Sequence, residues 1–347
     1  MPGTPAFDVA VVGAGMGSAP HLRSLQDLRA TYPLTWVCAR DAKRLAAVPL
    51  PDGVRRTTRL DDILQDPRVR AVLVLTPPAA HLDVVRLVAA AGKHVLVEKP
   101  LELDLARAQE LVACCEAAGV QLAVMLQYRL REAATHLRQL LHSGMLGQLT
   151  SASASVRWWR PQSYYDVPGR GTRARDGGGV LMTQAIHTLD LLLDLIGSPQ
   201  KVSGAVATSA VHQMECEDTA SALLHYPGGA VAVLQATTAA SPGYPERIEI
   251  NMTGGTATLE SGRLRLTTMD GRTETVGADS GTGGGADPMA FDHGPHRVVI
   301  QDFLEAVRDG RPPAVTGRSA LAVQRVIEAI MASSAQGRPV ALEPGNA

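Results

Sequence analysis

Over its first 125 residues the chain alternates short, wholly apolar runs with stretches of helical periodicity. The apolar runs fall at 7–12, 34–39, 71–75, 94–97 and 121–125, and the helix-like segments at 17–30, 80–91 and 104–118. In the last of these, Leu105, Ala108, Leu111, Val112 and Cys115 recur at three- and four-residue spacing, which puts them on one face. Asp104 is placed to cap that helix and Gly119 to stop it. Strands apolar at every position are buried on both faces. With the alternation, this predicts a doubly wound parallel sheet covered by helices on either side.

The pattern changes near Gly147. Residues 150–160 alternate apolar and polar in the manner of a strand. A polar loop rich in glycine and arginine spans 161–179, and an apolar helix is predicted over 180–195. Strand-like stretches follow at 201–211, 219–226, 230–237, 247–252, 256–260 and 263–267, separated by turn signals such as Pro227-Gly228-Gly229. A glycine-rich, mobile loop is expected over 277–287, then helices at 293–309 and 317–335. The fold class is α/β: a doubly wound parallel-sheet domain at 1–125, then an α+β domain at 126–347 with an open, mostly antiparallel mixed sheet. The last helices could pack back on either domain.

Composition narrows the function. A chain of 347 residues, 45% hydrophobic, suits two domains with a core each. A net charge of −1 and 3% aromatic residues offer neither the field nor the stacking platforms that nucleic acid needs. Cys38, Cys114, Cys115 and Cys216 form no C-x-x-C pair, which argues against a disulfide framework or zinc site and for a reducing cytoplasm. No signal-peptide pattern opens the sequence, and no stretch approaches the roughly 20 apolar residues of a membrane span. The expectation is a cytoplasmic protein with no nucleic-acid or membrane partner.

Gly13-Ala14-Gly15-Met16-Gly17-Ser18 directly follows the first apolar run and leads into a helix. A tight turn needs glycine at 13, and a side chain at 15 would keep the backbone from a pyrophosphate. The third position must be small for helix and strand to pack, and Ser18 is. The helix start then offers amides and a positive dipole end to phosphate. An ordinary glycine turn is the bland alternative. At the tip of the second strand, where NAD binders carry an acid for the ribose 2′-hydroxyl, the chain has Ala39 and then Arg40. A missing carboxylate and a guanidinium suit a 2′-phosphate, with Lys43 and Arg44 nearby. This favours NADP(H), with NAD(H) possible. In the competing reading Arg40, Lys43 and Arg44 are solvated helix charges, and Asp41 serves the ribose or caps a helix.

Thr76-Pro77-Pro78 with His81, and Glu98-Lys99-Pro100, each follow a parallel strand at its carboxyl end, where such sheets bind ligands. An ammonium there can stabilise a developing alkoxide or polarise a carbonyl. A lysine beside a proline can equally be structural. Further on, Gly177-Gly178-Gly179 precedes Thr183, His187 and Asp190, which share one side of the predicted helix. The glycines could admit a ligand close to the backbone, and a histidine is the usual base for a hydroxyl near neutral pH. The alternative is a core histidine bonded to a neighbour such as Asp190.

These motifs, taken in order with Tyr128-Arg129 and a C-terminal stretch from His296 through Gln301-Asp302-Phe303 to Gly337-Arg338-Pro339-Val340, resemble the glucose–fructose oxidoreductase / inositol dehydrogenase (Gfo/Idh/MocA) family over essentially the whole chain. The resemblance implies a Rossmann domain followed by an open sheet that carries the substrate site and often the oligomer interface. It implies that Lys99 and His187 are the catalytic pair. His187 takes the hydroxyl proton while hydride goes to C4 of the nicotinamide, and Lys99 orients the oxygen. It also implies a cis Lys99–Pro100 bond. Where many members carry Asp or Asn four residues before the histidine, this chain has Thr183, which brings no charge; Thr183 joins the catalytic set on that count. With the resemblance, the expected cofactor contacts are Gly13, Gly15, Met16, Gly17, Ala39, Arg40, Thr76, Pro77, His81, Glu98, Lys99 and Gln127.

Arg157, Trp158, Trp159, Arg160, Tyr164, Tyr165, Arg170, Arg173 and Arg175 precede the helix, and aromatic faces and arginine forks suit sugars and anionic groups. Several of these arginines could instead line a dimer interface or bind solvent. The expected substrate contacts are Lys99, Tyr128, Arg129, Arg157, Tyr165, Arg170 and His187. His293 and His296 alone make a poor metal site, so no metal is expected; His296 could face the substrate instead. The reading is an NAD(P)-dependent oxidoreductase of a sugar, sugar derivative or cyclic polyol, in a homodimer or tetramer. The alternatives are a redox-assisted glycosidase that retains NAD and a non-catalytic NADP-binding regulator.

Overall fold

The computed structural model describes residues 7–278, 285 and 292–342. Most of the segment expected as a mobile loop at 277–287 lies outside the described residues. The chain divides into two units: 1–127 with 293–321, and 128–292 with 322–347. The division thus falls after Gln127, not after residue 125, and the segment from 293 to 321 goes with the first unit.

In the first unit, β1 (Asp8–Val12) is buried along its whole length. It pairs in parallel with β2 (Leu34–Cys38) on one side and β4 (Val69–Val74) on the other. β3 (Arg55–Thr57), β5 (His94–Val97) and β6 (Leu122–Val124) complete a parallel sheet in the order β3-β2-β1-β4-β5-β6. This is the dinucleotide-binding Rossmann order, in which ligands collect at the carboxyl ends of the strands. The helix Leu105–Ala117 buries Ala108, Leu111, Val112 and Cys115, the face its spacing predicts, and Asp104 caps it by accepting from the Arg107 amide. The returning segment adds the helix Gly294–Asp309, which packs on the helix Ala19–Asp27, and the Val124 amide donates to the Val315 carbonyl at 3.1 Å. Gly317 packs closely here: a Cβ would sit 2.3 Å from the end of the Leu122 side chain, which would have to shift.

The second unit holds, among the described residues, a sheet in the order β14-β13-β12-β11-β7-β10-β9-β8-β15. Its strands are β7 (Leu149–Arg157), β8 (Lys201–Ala207), β9 (Thr219–His225), β10 (Val231–Thr237), β11 (Arg247–Met252), β12 (Gly255–Glu260), β13 (Arg263–Thr268), β14 (Thr273–Val276) and β15 (Val340–Ala341). Only β7 and β10 pair in parallel. In β9 and β10 buried and exposed positions alternate, so one face is covered and the other open. The helix Ile186–Ile196 packs on β7 and β11, and the helix Glu132–His142 packs on it and on β12, β13 and β14. By length and composition, Arg173–Ile196 could cross a membrane, contrary to the sequence reading. However, 83% of its most apolar stretch is buried inside the protein, as in a core helix.

Candidate active site

The glycine turn after β1 is built from backbone constraints. Gly13 has φ +110°, and a Cβ there would lie 2.6 Å from the Leu75 carbonyl carbon and oxygen, at the end of β4. At Gly15 and Gly17 a Cβ would meet nothing within 4 Å. Those two positions leave open space beside the start of the helix Ala19–Asp27, which is the room a pyrophosphate needs. Ser18 is buried and its hydroxyl donates to the Gly15 carbonyl at 2.7 Å. The side chain of Met16 lies outside the described residues.

At the tip of β2, the Ala39 amide donates to the Thr57 carbonyl and Arg40 is exposed. Asp41 caps the helix Ala42–Ala47, its Oδ1 accepting from the Lys43 and Arg44 amides at 3.0 Å each. Of the two roles open to Asp41, the cap is the one seen.

Among the buried polar atoms of this unit without a hydrogen-bond partner are the Thr76 hydroxyl, just past β4, and the Gln127 carbonyl oxygen, just past β6. Orphaned groups of this kind are costly unless a ligand or water satisfies them. With the open space at Gly15 and Gly17, they fit a dinucleotide. His81 does not belong to that set, which corrects the expectation. It is fully buried, with Nε2 2.8 Å from the Thr76 carbonyl and Nδ1 3.0 Å from the Leu101 carbonyl, so it clips two loops together. Burial lowers its pKa against the pull of those carbonyls.

The Lys99–Pro100 bond is cis, as the resemblance implies. Glu98, expected at the cofactor, uses both carboxylate oxygens internally. Oε1 is 2.6 Å from His21 Nε2, and Oε2 accepts from the Lys99 amide at 3.0 Å. Burial alone would push its carboxyl up; the hydrogen bond from His21 and the positive charge of His21, Lys99 and His296 outweigh this and hold it at about 2. The ring of His296 meets that of His21 edge-on, at 5.1 Å. This His21–Glu98–His296 cluster, whose polar atoms lie within 4.8 Å of one another, was not foreseen. Its members are 77 and 198 positions apart in sequence, with no spacing that links them. At 2.6 Å, His21 and Glu98 stand closer than two ligands on one zinc ion, which bond lengths near 2.0–2.1 Å put about 3.3 Å apart. The cluster is therefore a hydrogen-bonded one.

In the second unit the glycine run serves the protein itself. A Cβ on Gly179 would lie 1.7 Å from the Glu217 carbonyl oxygen, and the Glu217 carboxylate accepts from the Gly179 and Leu181 amides. A buried glutamate, its pKa raised chiefly by burial, occupies the place proposed for a ligand. The helix also starts differently. Leu181–Ala185 winds as a π-helix before Ile186–Ile196 becomes α-helical, so regular spacing does not relate Thr183 to His187. The Thr183 hydroxyl donates to the Gly179 carbonyl at 2.7 Å and also meets the Gln184 side-chain oxygen.

His187 is buried and stacks on Tyr128, ring centres 5.1 Å apart and planes 28° apart. Asp190 is not its partner. Arg129 takes Asp190 in a two-pronged ion pair and lies 3.5 Å from Asp194, so Arg129 is a core residue and not the expected substrate contact. Tyr128 is itself buried beneath the Arg131 guanidinium. Tyr165 is also internal: its hydroxyl meets that of Thr238 at 2.7 Å, its ring packs on His212, and burial raises its pKa. Arg157 lies over Tyr244 at an exposed strand end, and Arg170 lies 4.0 Å over Tyr164. Of the expected substrate contacts in this unit, His187, Arg157 and Arg170 keep an arrangement open to that role.

Residues 7–126 match the model described as an oxidoreductase family with an NAD-binding Rossmann fold, and residues 134–258 match the GFO/IDH/MocA C-terminal domain. The chain is 28% identical to D-apiose dehydrogenase of Paraburkholderia graminis over 97% of this chain and 90% of that one. It is 30% identical to mouse trans-1,2-dihydrobenzene-1,2-diol dehydrogenase over 63% and 65% of the two chains. Among solved structures it resembles the WlbA dehydrogenase of Bordetella pertussis in complex with NADH and UDP-GlcNAcA, with a TM-score of 0.83 and 27% identity, covering 97% and 99% of the chains. The chain therefore belongs to the Gfo/Idh/MocA family and is an oxidoreductase with an NAD-binding Rossmann domain.

Proposed function

We propose that this oxidoreductase acts on a hydroxyl or carbonyl carbon of a sugar, sugar derivative or cyclic polyol, prefers NADP(H), and works as a cytoplasmic homo-oligomer. The observation that carries the cofactor half is the open space at Gly15 and Gly17 combined with the orphaned Thr76 and Gln127 oxygens. Arg40, exposed where an acid would hold a ribose hydroxyl, supports the phosphorylated dinucleotide. Relatives named for apiose and for a dihydrodiol, and one solved with a sugar nucleotide, support a polyhydroxylated substrate.

The nicotinamide, when bound, supplies a hydride acceptor or donor at C4. The protein supplies the rest. Lys99 holds the reacting oxygen and favours its anionic form, which lowers the barrier to hydride loss from the carbon beside it. His187 takes the hydroxyl proton on oxidation and returns it on reduction. Its ring is held flat by Tyr128, so its orientation is set before substrate arrives.

Nicotinamide fluorescence on titration with NADPH and NADH, followed by a panel of sugars and polyols, tests this reading. Lys99→Met and His187→Asn should each lower kcat by about a hundredfold or more while leaving dinucleotide affinity within a few-fold. Failure of nucleotide-free protein to bind either dinucleotide would sink the proposal.

A further inference from the structure

The Arg131–Glu246 pair reaches His187 through one shared aromatic ring, that of Tyr128. Arg131 puts its guanidinium carbon 3.6 Å from the centre of the Tyr128 ring, and the same ring stacks on His187 at 5.1 Å. Arg131 Nη1 bonds Glu246 Oε1 at 3.1 Å, with the two side chains only 12% and 6% exposed. The Tyr128 hydroxyl interacts with both. The cation, the anion and the imidazole therefore lie on one aromatic ring, out of reach of the screening that cancels surface charges.

We infer that Arg131 and Glu246 are positioning residues that set the protonation behaviour of His187 through Tyr128. The inference rests on the reading of His187 as the proton carrier only for its kinetic consequence. From the distances to the shared ring, Arg131 is at most about 9 Å from the imidazole. At that range a single uncompensated charge in a poorly solvated site moves a neighbouring pKa by about half to one unit. In the native pair the two charges oppose each other at the Tyr128 ring, so neither acts on His187 alone.

The other charged groups around His187 are balanced and stay so. On its own helix Asp190 faces Arg129. Asp194 faces Arg138 from the helix Glu132–His142 and Arg129 from the segment before it. Next to β11 the acid is Glu246 itself, and on β7 Arg157 is exposed over Tyr244. Removing one member of the Arg131–Glu246 pair therefore changes the local balance by one charge of known sign.

The test is the titration of His187 by NMR in histidine-labelled full-length protein, its signal identified by loss in His187→Gln. Arg131→Gln should raise the His187 pKa by about half to one unit, and Glu246→Gln should lower it by a similar amount. The double variant should return it to within about 0.3 unit of the native value. A purely structural role predicts no such opposition of sign. Either single variant decides the sign if the other fails to fold. Shifts in the same direction in both variants, or no shift in a folded one, overturn the inference. The pH profile of kcat/KM separates the two readings. If the imidazole shifts and the kinetic limb does not, the coupling stands and the role given to His187 falls.

Discussion

Arg129 and Asp190 face each other as a two-pronged ion pair, Nε to Oδ2 at 2.7 Å and Nη2 to Oδ1 at 2.5 Å, with side chains 6% and 1% exposed. A buried pair is not itself strong evidence of stability, but halving one is costly because the remaining charge stays buried. Asp190→Asn should therefore destabilise the protein by about 3–5 kcal/mol, read as a fall in the urea midpoint at unchanged slope. If Arg129 were instead held for substrate, the variant would keep native stability and lose only activity.

Arg40 carries the cofactor preference if the proposal is right. Its guanidinium is exposed, and the neighbouring Asp41 carboxylate is taken up by the amides of Lys43 and Arg44. A charge-assisted contact to a 2′-phosphate is worth about 1.5–3 kcal/mol. Arg40→Ser should then weaken NADPH binding by about ten- to a hundredfold and leave NADH within a few-fold. Equal effects on both dinucleotides would show that Arg40 does not read the phosphate.

Glu98 makes the first unit acid-sensitive. Its carboxyl is held at about 2, below the ordinary 4.5, so its stabilising contribution is whole above pH 4.5 and is lost as the pH falls toward 2. The full contribution is about 3 kcal/mol at most. Glu98→Gln removes it at every pH. Native protein and variant should differ most at pH 7, by less than half as much at pH 3, and converge in denaturant midpoint at about pH 2 and below. A gap that persists unchanged at pH 3 would mean that the carboxylate is not the source.

Much of the fold was legible because burial on both faces writes an unmistakable pattern. Val9, Val11, Val72 and Val95 announce central parallel strands, and the one-faced helix Leu105–Ala117 announces its own boundaries. What escaped was short or polar. Arg55–Thr57 is a strand with two exposed arginines, recognisable only by its pairing with β2. The helix Glu132–His142 buries Ala133, Ala134 and Leu137, residues too small or too few to mark a face. The site was legible as residue types but not as partnerships. Arg129, Thr183, His81 and Gly179 all carry chemistry suited to ligands, and each is engaged by a partner elsewhere in its own unit: Asp190, Gly179, Thr76 with Leu101, and Glu217. No local pattern encodes a pairing between Gly179 and Glu217, because their approach is made by the path of the whole sheet.

The two glycines of the phosphate turn separate folding from binding. At Gly13 the backbone sits at φ +110°, and a Cβ would press to 2.6 Å against the backbone of Leu75, which cannot swing aside as a side chain could. Gly13→Ala should lower stability by about 2 kcal/mol or more, with dinucleotide binding lost as a consequence. Gly15 has φ −80° and ψ −176°, extended backbone that alanine adopts without strain, and its Cβ would enter open space. Gly15→Ala should keep the native Tm within about a degree or two, yet weaken dinucleotide binding by about tenfold or more, since the methyl group fills the volume the phosphates need. Thermal unfolding and fluorescence titration on the same two variants read both quantities. A Gly15→Ala protein that binds both dinucleotides with native affinity would remove this turn from the cofactor site, and the orphaned Thr76 and Gln127 oxygens would then need another ligand.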